Sequence, residues 1–266
     1  MSWKKEPIKP AFLLEILSDV KSPHYVKDLQ TGALIALQYY TGCRIGELTR
    51  HREEIKTPYC FCGHEKIKHH KKAKQCREEG CSCKEYDFEK RVLSLGKWRE
   101  GIKWGDINTN MESEGYYLVK IKNLKNKSRP LKEIPIYLRE YNKPSTWSEE
   151  RYKIMLALDR ACLTRLMAWY RFRETFKQAG ANKLIFPISK SAASLRLRNA
   201  LGRTSNGKIR SSHYLRGSRL THWEGLYSVS EECDLAGHAN ISMTSHYINP
   251  DIRDAIARNL EGKKDD

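Results

Sequence analysis

The sequence predicts an α+β domain, mainly helical, with one small antiparallel sheet and a cysteine- and histidine-rich insertion. Apolar residues recur at helical spacing over most of the chain. Three short runs in its middle instead carry β-branched and aromatic residues in the pattern of half-buried strands. From about residue 56 to residue 90 the apolar periodicity vanishes and Cys, His, Lys and Glu take over, which marks the insertion.

In chain order, Ala11–Val20 and Val26–Tyr40 read as helices, the first through Phe12, Leu13, Ile16 and Leu17. Gly42 and Gly46 flank Arg44 and mark a bend into a short third helix. After the insertion, strand signals fall at Ile102–Ile107, Tyr116–Ile121 and Glu133–Tyr137. A lysine-rich turn, Lys122–Leu131, joins the last two into a hairpin. Glu149–Gln178 is the longest amphipathic helix, closed by Gly180 and Asn182, and Leu184–Ser189 is a short apolar link. Helical patterns resume at Ser191–Leu201, Ser212–Leu226, Ser230–Ala236, Met243–Ile248 and Pro250–Asn259, before a frayed tail.

The 266 residues suffice for a large domain with a sizeable core. Hydrophobic residues make up 39% and charged residues 30%, a globular rather than a disordered balance. Lys and Arg total 49 against 32 acidic residues, an excess of 17 positive charges. Each cation set against a phosphate releases condensed counterions, so nucleic acid is the expected partner. Charge alone separates neither DNA from RNA nor binding from a solvated basic surface. No apolar run is long enough to span a bilayer, and no leader pattern opens the chain, so neither membrane nor secretion is expected. Cysteine clustered with histidine points to metal rather than disulfides, hence to a reducing, cytoplasmic setting.

Five segments carry residue types suited to phosphoryl transfer. They are Thr41–Leu48 with Arg44, the basic turn Lys122–Arg129, His213-Tyr-Leu-Arg216, Leu235-Ala-Gly-His238, and Thr244-Ser-His-Tyr247. A phosphodiester under attack gathers negative charge on its non-bridging oxygens, which the planar donor fork of a guanidinium matches better than an ammonium does. His213 and Arg216, three residues apart, share one helix face, where a neutral imidazole can relay a proton. His238 follows Gly237, so a sharp turn can present its ring to the same phosphate. A tyrosine hydroxyl titrates near pH 10, so nearby cations must favour its phenolate before Tyr247 can attack. Each element also has a plainer reading: Arg44 and Glu47 are spaced for a local ion pair, His213 and Arg216 for helix solvation, and His238 for a helix cap.

The order and spacing of these boxes resemble the tyrosine recombinase family, the phage-integrase and Xer-like enzymes. That family's T-G-x-R-x-x-E-L box is met by Thr41–Leu48 and its H-x-x-R box by His213–Arg216. Its L-G-H box appears as Leu235–His238, and its tyrosine falls nine positions after that histidine, as Tyr247 does. The resemblance spans roughly Ala11–Asn259. It implies the catalytic-domain fold, with Arg44, His213, Arg216 and His238 activating the phosphate and Tyr247 as nucleophile. The product would be a 3′-phosphotyrosyl link that conserves bond energy for rejoining.

The resemblance also implies a lysine in the turn between two strands that protonates the leaving 5′ oxygen. Lys127 lies eight residues before Pro135, the commonest family spacing, while Lys125 fits if Lys-Asn-Lys-Ser-Arg-Pro is a variant turn. Lys125 is favoured, leaving Lys122, Lys127 and Arg129 to hold the DNA backbone. Exchange between two duplexes implies a homo-oligomer assembled on double-stranded DNA. About 40 residues precede Arg44, too few for the family's N-terminal clamp domain, so residues 1–266 are read as the catalytic domain alone. Two other classes fit parts of the pattern. A catalytically inactive DNA-binding relative would keep the basic face without needing Tyr247, and a type IB topoisomerase shares the chemistry but differs in its boxes.

The insertion, residues 56–90, supplies Cys60, Cys62, His64, His69 (or His70), Cys76, Cys81 and Cys83. Thiolate and imidazole together select zinc, which takes four ligands in a tetrahedron. The C-x-C spacings leave the ligand set, and one site or two, open. So polar a segment has no core of its own, so a structural Zn2+ would supply its folding free energy. Lys66, Lys68, Lys71, Lys72 and Lys74 give it a basic surface as well. The phosphate chemistry itself calls for no metal.

Overall fold

A computed structural model describes residues 7–18, 26–58, 91–110, 112–123 and 131–237, with backbone alone for 51–58, 91–98 and 114. Two compact units divide the chain: Met1–Arg50 with Gly101–Asp266, and His51–Glu100.

The first unit is mainly helical. Helix α1 (Pro10–Ser18) and helix α2 (Val26–Thr41) pack with the 27-residue helix α4 (Glu149–Thr175). On α2 almost every side chain from Leu29 to Thr41 is buried, as expected of a helix apolar on all sides. On α4 the buried set is a single stripe, Met155, Leu158, Asp159, Cys162, Leu166 and Trp169, at the three- and four-residue steps of one helical face. Ser148 caps α4 by accepting from the Arg151 amide at 3.1 Å. Between α2 and α4 in sequence lie the four-residue helix α3 (Ile45–Leu48) and the small sheet.

That sheet runs β3 (Ile107–Asn108), β4 (Tyr116–Lys122) and β5 (Leu131–Tyr137), antiparallel throughout. Its hairpin register pairs Tyr116 with Tyr137 and Lys122 with Leu131. Val119 and Ile121 on β4, and Ile134 and Ile136 on β5, point into the core, following the two-residue strand period. Helices α5 (Lys190–Leu201), α6 (Ser212–Trp223) and α7 (Val229–Ala236) follow in the same unit. Ser189 caps α5, and a Ser228–Glu231 capping box opens α7.

Strand β1 (Thr49–Pro58) begins in this unit, where Thr49 and Arg50 pair in parallel with β6 (Phe186–Ser189). In the second unit the rest of β1 pairs antiparallel with β2 (Arg91–Arg99), from His51–Arg99 to Pro58–Arg91. The sequence gives no warning of this hairpin, because polar residues crowd both strands. Residues 59–90, with all the predicted zinc ligands, lie outside the described residues.

Several expectations need correction. Ile102–Ile107 is not a strand: Trp104–Asp106 forms a 3-10 turn, closed by the Lys103 amide on Asp106 Oδ2 at 2.8 Å, and only Ile107–Asn108 joins the sheet. The long helix stops at Thr175 rather than Gln178, because Lys177 takes a left-handed conformation with φ 55°. Ser212–Leu226 ends at Trp223, and the apolar link 184–189 contains a strand. Beside the expected sheet there is therefore further β structure. The predicted helices Met243–Ile248 and Pro250–Asn259 lie outside the described residues. Among the described residues no helix is long and apolar enough to cross a membrane.

Candidate active site

The end of α2 leads into the site through Thr41, whose hydroxyl donates to the Leu37 carbonyl at 2.6 Å, and then through Gly42. Gly42 has φ +57°, and a Cβ there would stand 3.4 Å from the Trp223 ring, so the chain turns where only glycine does so without strain. Arg44 follows in extended conformation at the N-terminus of α3. Its amide donates to Glu47 Oε2 at 2.9 Å and its Nη1 to Glu47 Oε1 at 3.2 Å. The local ion pair read from the sequence is thus formed. The Arg44 side chain nevertheless remains 17% exposed while that of Glu47 is fully enclosed.

A second cation meets Glu47 from the sheet. Lys132, whose side chain is only 2% exposed, donates from Nζ to Glu47 Oε2 at 2.8 Å. Burial pushes the Glu47 carboxyl up, but Lys132, the Arg44 amide and Arg216 more than offset it, and the net shift is downward. Neighbouring Cys43 shows the opposite outcome: burial drives its thiol up to about 11, which leaves it unreactive.

Arg216, on the first turns of α6, is buried and clamps two chain segments. Its Nη1 donates to the Gly42 carbonyl and its Nη2 to the Ala236 carbonyl at 2.8 Å. Gln38 Nε2 adds a bond to the Ser212 carbonyl at 3.1 Å, tying α2 to the start of α6. His213 lies on the first turn of the same helix with its side chain exposed, whereas Arg216, three residues on, is buried.

The last described segment closes the arrangement. Gly237 ends α7 in the left-handed region, φ 67° and ψ 37°, as helix C-terminal glycines do. Asn123, buried at the end of β4, donates from Nδ2 to the Gly237 carbonyl at 2.9 Å. A Cβ on Gly237 would lie 2.4 Å from that Nδ2 and 3.4 Å from Lys132 Cδ. Asn123, Lys132, Glu133, Asp234, Leu235 and Gly237 line a cavity of about 400 Å³ between the hairpin end and α7.

Hydrogen bonds thus draw together the segment around Arg44, the start of α6, the end of α7 and the β4–β5 hairpin. Lys122 ends β4 with its side chain exposed. Lys125, Lys127, Arg129, His238 and Tyr247 lie outside the described residues, as do Cys60, Cys62, His64, His69, Cys76, Cys81 and Cys83. Among the described residues no group of His, Cys, Asp and Glu is placed to hold a metal ion.

Sequence reasoning missed Lys132 and Asn123. For Lys132 a signal existed: it shares the inward parity of Ile134 and Ile136 on β5, so the strand period itself points an ammonium into the core. Asn123 carried the same signal, since it continues the inward parity of Val119 and Ile121 one residue past β4, but its partner, a backbone carbonyl distant in sequence, was not legible. A second histidine of α6, His222, is excluded from acid–base work. Burial and the nearby Arg219 and Arg151 hold it down to about 3, and its Nδ1 is 2.7 Å from the Tyr39 hydroxyl.

No protein-family profile matches the chain, and no curated protein matches it. Among solved structures it is similar to the XerH site-specific recombinase bound to difH substrate in a pre-cleavage complex. Identity is 14% over 90% of this chain and 47% of that one, with a TM-score of 0.48. It is similar to a lambda integrase(75-356) dimer bound to a COC' core site at 17% identity, covering 93% of this chain and 60% of that one, TM-score 0.47. For XerA recombinase the identity is 12%, the coverage 97% and 66%, and the TM-score 0.47. The chain spans about half the length of the first of these structures.

Proposed function

We propose that the chain cuts and rejoins DNA strands through Tyr247, as a tyrosine recombinase or integrase does. In the proposed step the Tyr247 oxygen attacks the scissile phosphorus, forming a 3′-phosphotyrosyl bond, while the 5′ oxygen leaves with a proton. Lys125 is the favoured donor of that proton and Lys127 its alternative. Arg44, His213, Arg216 and His238 stabilise the charge on the phosphate, and Lys122, Lys127 and Arg129 hold the DNA backbone. Rejoining is the reverse attack, by the 5′ hydroxyl of a partner strand, so copies of the chain assemble on double-stranded DNA.

One observation carries this reading: Arg216 bridges the Gly42 and Ala236 carbonyls, bringing together three segments that the sequence marks independently as phosphate-binding. Their order along the chain and the excess of 17 positive charges support it. The proposed setting is the cytoplasm. Four of Cys60, Cys62, His64, His69, Cys76, Cys81 and Cys83 would hold a structural zinc ion. Protein purified without chelators should then contain zinc, and metal-free protein removes that part.

The same clamp favours a second reading. Arg216 spends Nη1 and Nη2 on protein carbonyls, which suits a DNA-binding relative that keeps the scaffold and has lost the chemistry. A nicked suicide DNA substrate separates the two. The expected result is an SDS-stable protein–DNA adduct with the wild type and none with Tyr247→Phe. Binding without any adduct would establish the accessory reading, and absence of both would remove DNA from the account.

A further inference from the structure

Lys132 is an ammonium placed where β5 otherwise puts isoleucine, and the phosphate chemistry has no direct use for it. Burying a charge is costly unless it is well paired, and well-packed apolar residues often serve stability as well as a buried pair does. Stability alone therefore gives a weak reason for the Lys132–Glu47 pair. Its geometry gives a stronger one.

Glu47 is a carboxylate shared between two cations. Oε1 takes Arg44 Nη1 at 3.2 Å, whereas Oε2 takes the Arg44 amide at 2.9 Å and Lys132 Nζ at 2.8 Å. An arginine beside a carboxylate ordinarily closes a fork of two parallel N–H···O bonds. Here the second oxygen is occupied from the other side, and Arg44 meets Glu47 through one guanidinium nitrogen, its side chain as a whole 17% exposed. The trio also carries a net charge of about +1 rather than the zero of a closed Arg–Glu pair. The Lys132 stem runs on past Gly237, with Cδ 3.4 Å from where a Cβ would be, so one side chain spans from the Arg44 segment to the end of α7.

We propose that Lys132 is a positioning residue: by occupying Glu47 Oε2 it prevents Arg44 from closing onto that carboxylate and keeps the guanidinium turned outward for a DNA phosphate. This rests on the reading of Arg44 as a phosphate ligand.

Lys132→Met keeps the stem and removes the charge, and its crystal structure reads the claim without any assay. The expected structure has Arg44 Nη1 and Nη2, or Nη1 and Nε, both on Glu47. An unmoved Arg44 overturns the proposal, whether or not the wild type cleaves DNA. If the wild type forms the adduct, Lys132→Met should cut the single-turnover cleavage rate by about 100-fold, with DNA affinity changed only about threefold. An equal loss of affinity and rate would instead mark Lys132 as a plain DNA contact. The double variant Glu47→Gln/Lys132→Met removes the anion that traps Arg44. It should recover cleavage to within about tenfold of wild type. A double variant no better than Lys132→Met alone would mean that the pair is structural only. Should Lys132→Met not fold, Lys132→Leu, which also removes the charge while Glu47 stays, is read in the same way: an Arg44 closed onto both Glu47 oxygens supports the proposal and an unmoved one overturns it.

Discussion

Among the described residues of the helical unit stand two buried ion pairs, and they are built to opposite ends. Asp159 on α4 and Arg219 on α6 meet at 2.8 Å, with the guanidinium stacked near Tyr39, Tyr40 and Trp223 at 4.5 to 5.4 Å from the ring centroids. That arginine is enclosed in the protein's interior. Glu47 and Lys132 also meet at 2.8 Å, but their carboxylate holds a second cation, Arg44, that reaches the surface. A closed pair stitches helices together, whereas a shared one can hold a charge in readiness for a ligand. Arg216 stands between them, three residues before Arg219 on α6, with its donors on the carbonyls of two site segments.

The comparison breaks most visibly at the closed pair. Arg219→Met strands the Asp159 carboxyl among apolar and aromatic groups and should cost roughly 3 to 5 kcal/mol in urea unfolding. A loss below about 1 kcal/mol would show that the aromatic box, not the ion pair, holds α4 to α6. Arg44→Ala should do the reverse. Stability changes by about 1 kcal/mol or less, because Glu47 keeps Lys132. Adduct formation on the nicked substrate falls by about 100- to 1000-fold. If stability falls and cleavage does not, the open pair is no different in kind from the closed one.

Gly237→Ala tests the junction between hairpin and α7. A left-handed alanine costs about 1 to 2 kcal/mol, and its Cβ would collide with Asn123 Nδ2, so thermal unfolding should shift downward. An unchanged melting temperature would mean that the Asn123 bond is not maintained in solution.

The smallest effect concerns acid. The folded-state value of Glu47 lies below its ordinary 4.5, so the group adds stability above that pH, lost as pH falls through the folded value. Stability against pH should therefore drop below about pH 4.5, and Glu47→Gln should flatten that limb. A limb identical in both proteins would assign the acid response to other carboxyls.

Much of the helical framework was legible from spacing alone. The stripe on α4 and the apolar run of α2 announce their burial, and both helices start where their patterns do. The hairpin β1–β2 was not legible, because its strands read Thr-Arg-His-Arg-Glu-Glu and Arg-Val-Leu-Ser-Leu-Gly without the clean alternation of a half-buried sheet. Ile102–Ile107 misled for the converse reason. Its apolar residues Ile102 and Trp104 are indeed buried, but the Asp106 carboxylate caps a turn there that strand propensity does not register.

By itself the sequence determined which residue types are available for phosphate chemistry and in what order, because motif spacing is a property of the chain. Helix periods and glycine turns likewise follow from local rules. Only the tertiary structure decided that Arg216 faces two carbonyls, that Asn123 grips Gly237, and that Glu47 is divided between Arg44 and Lys132. Apart from the local Arg44–Glu47 pair, those contacts join residues 20 to 174 positions apart, and no local preference encodes a partner at such a distance.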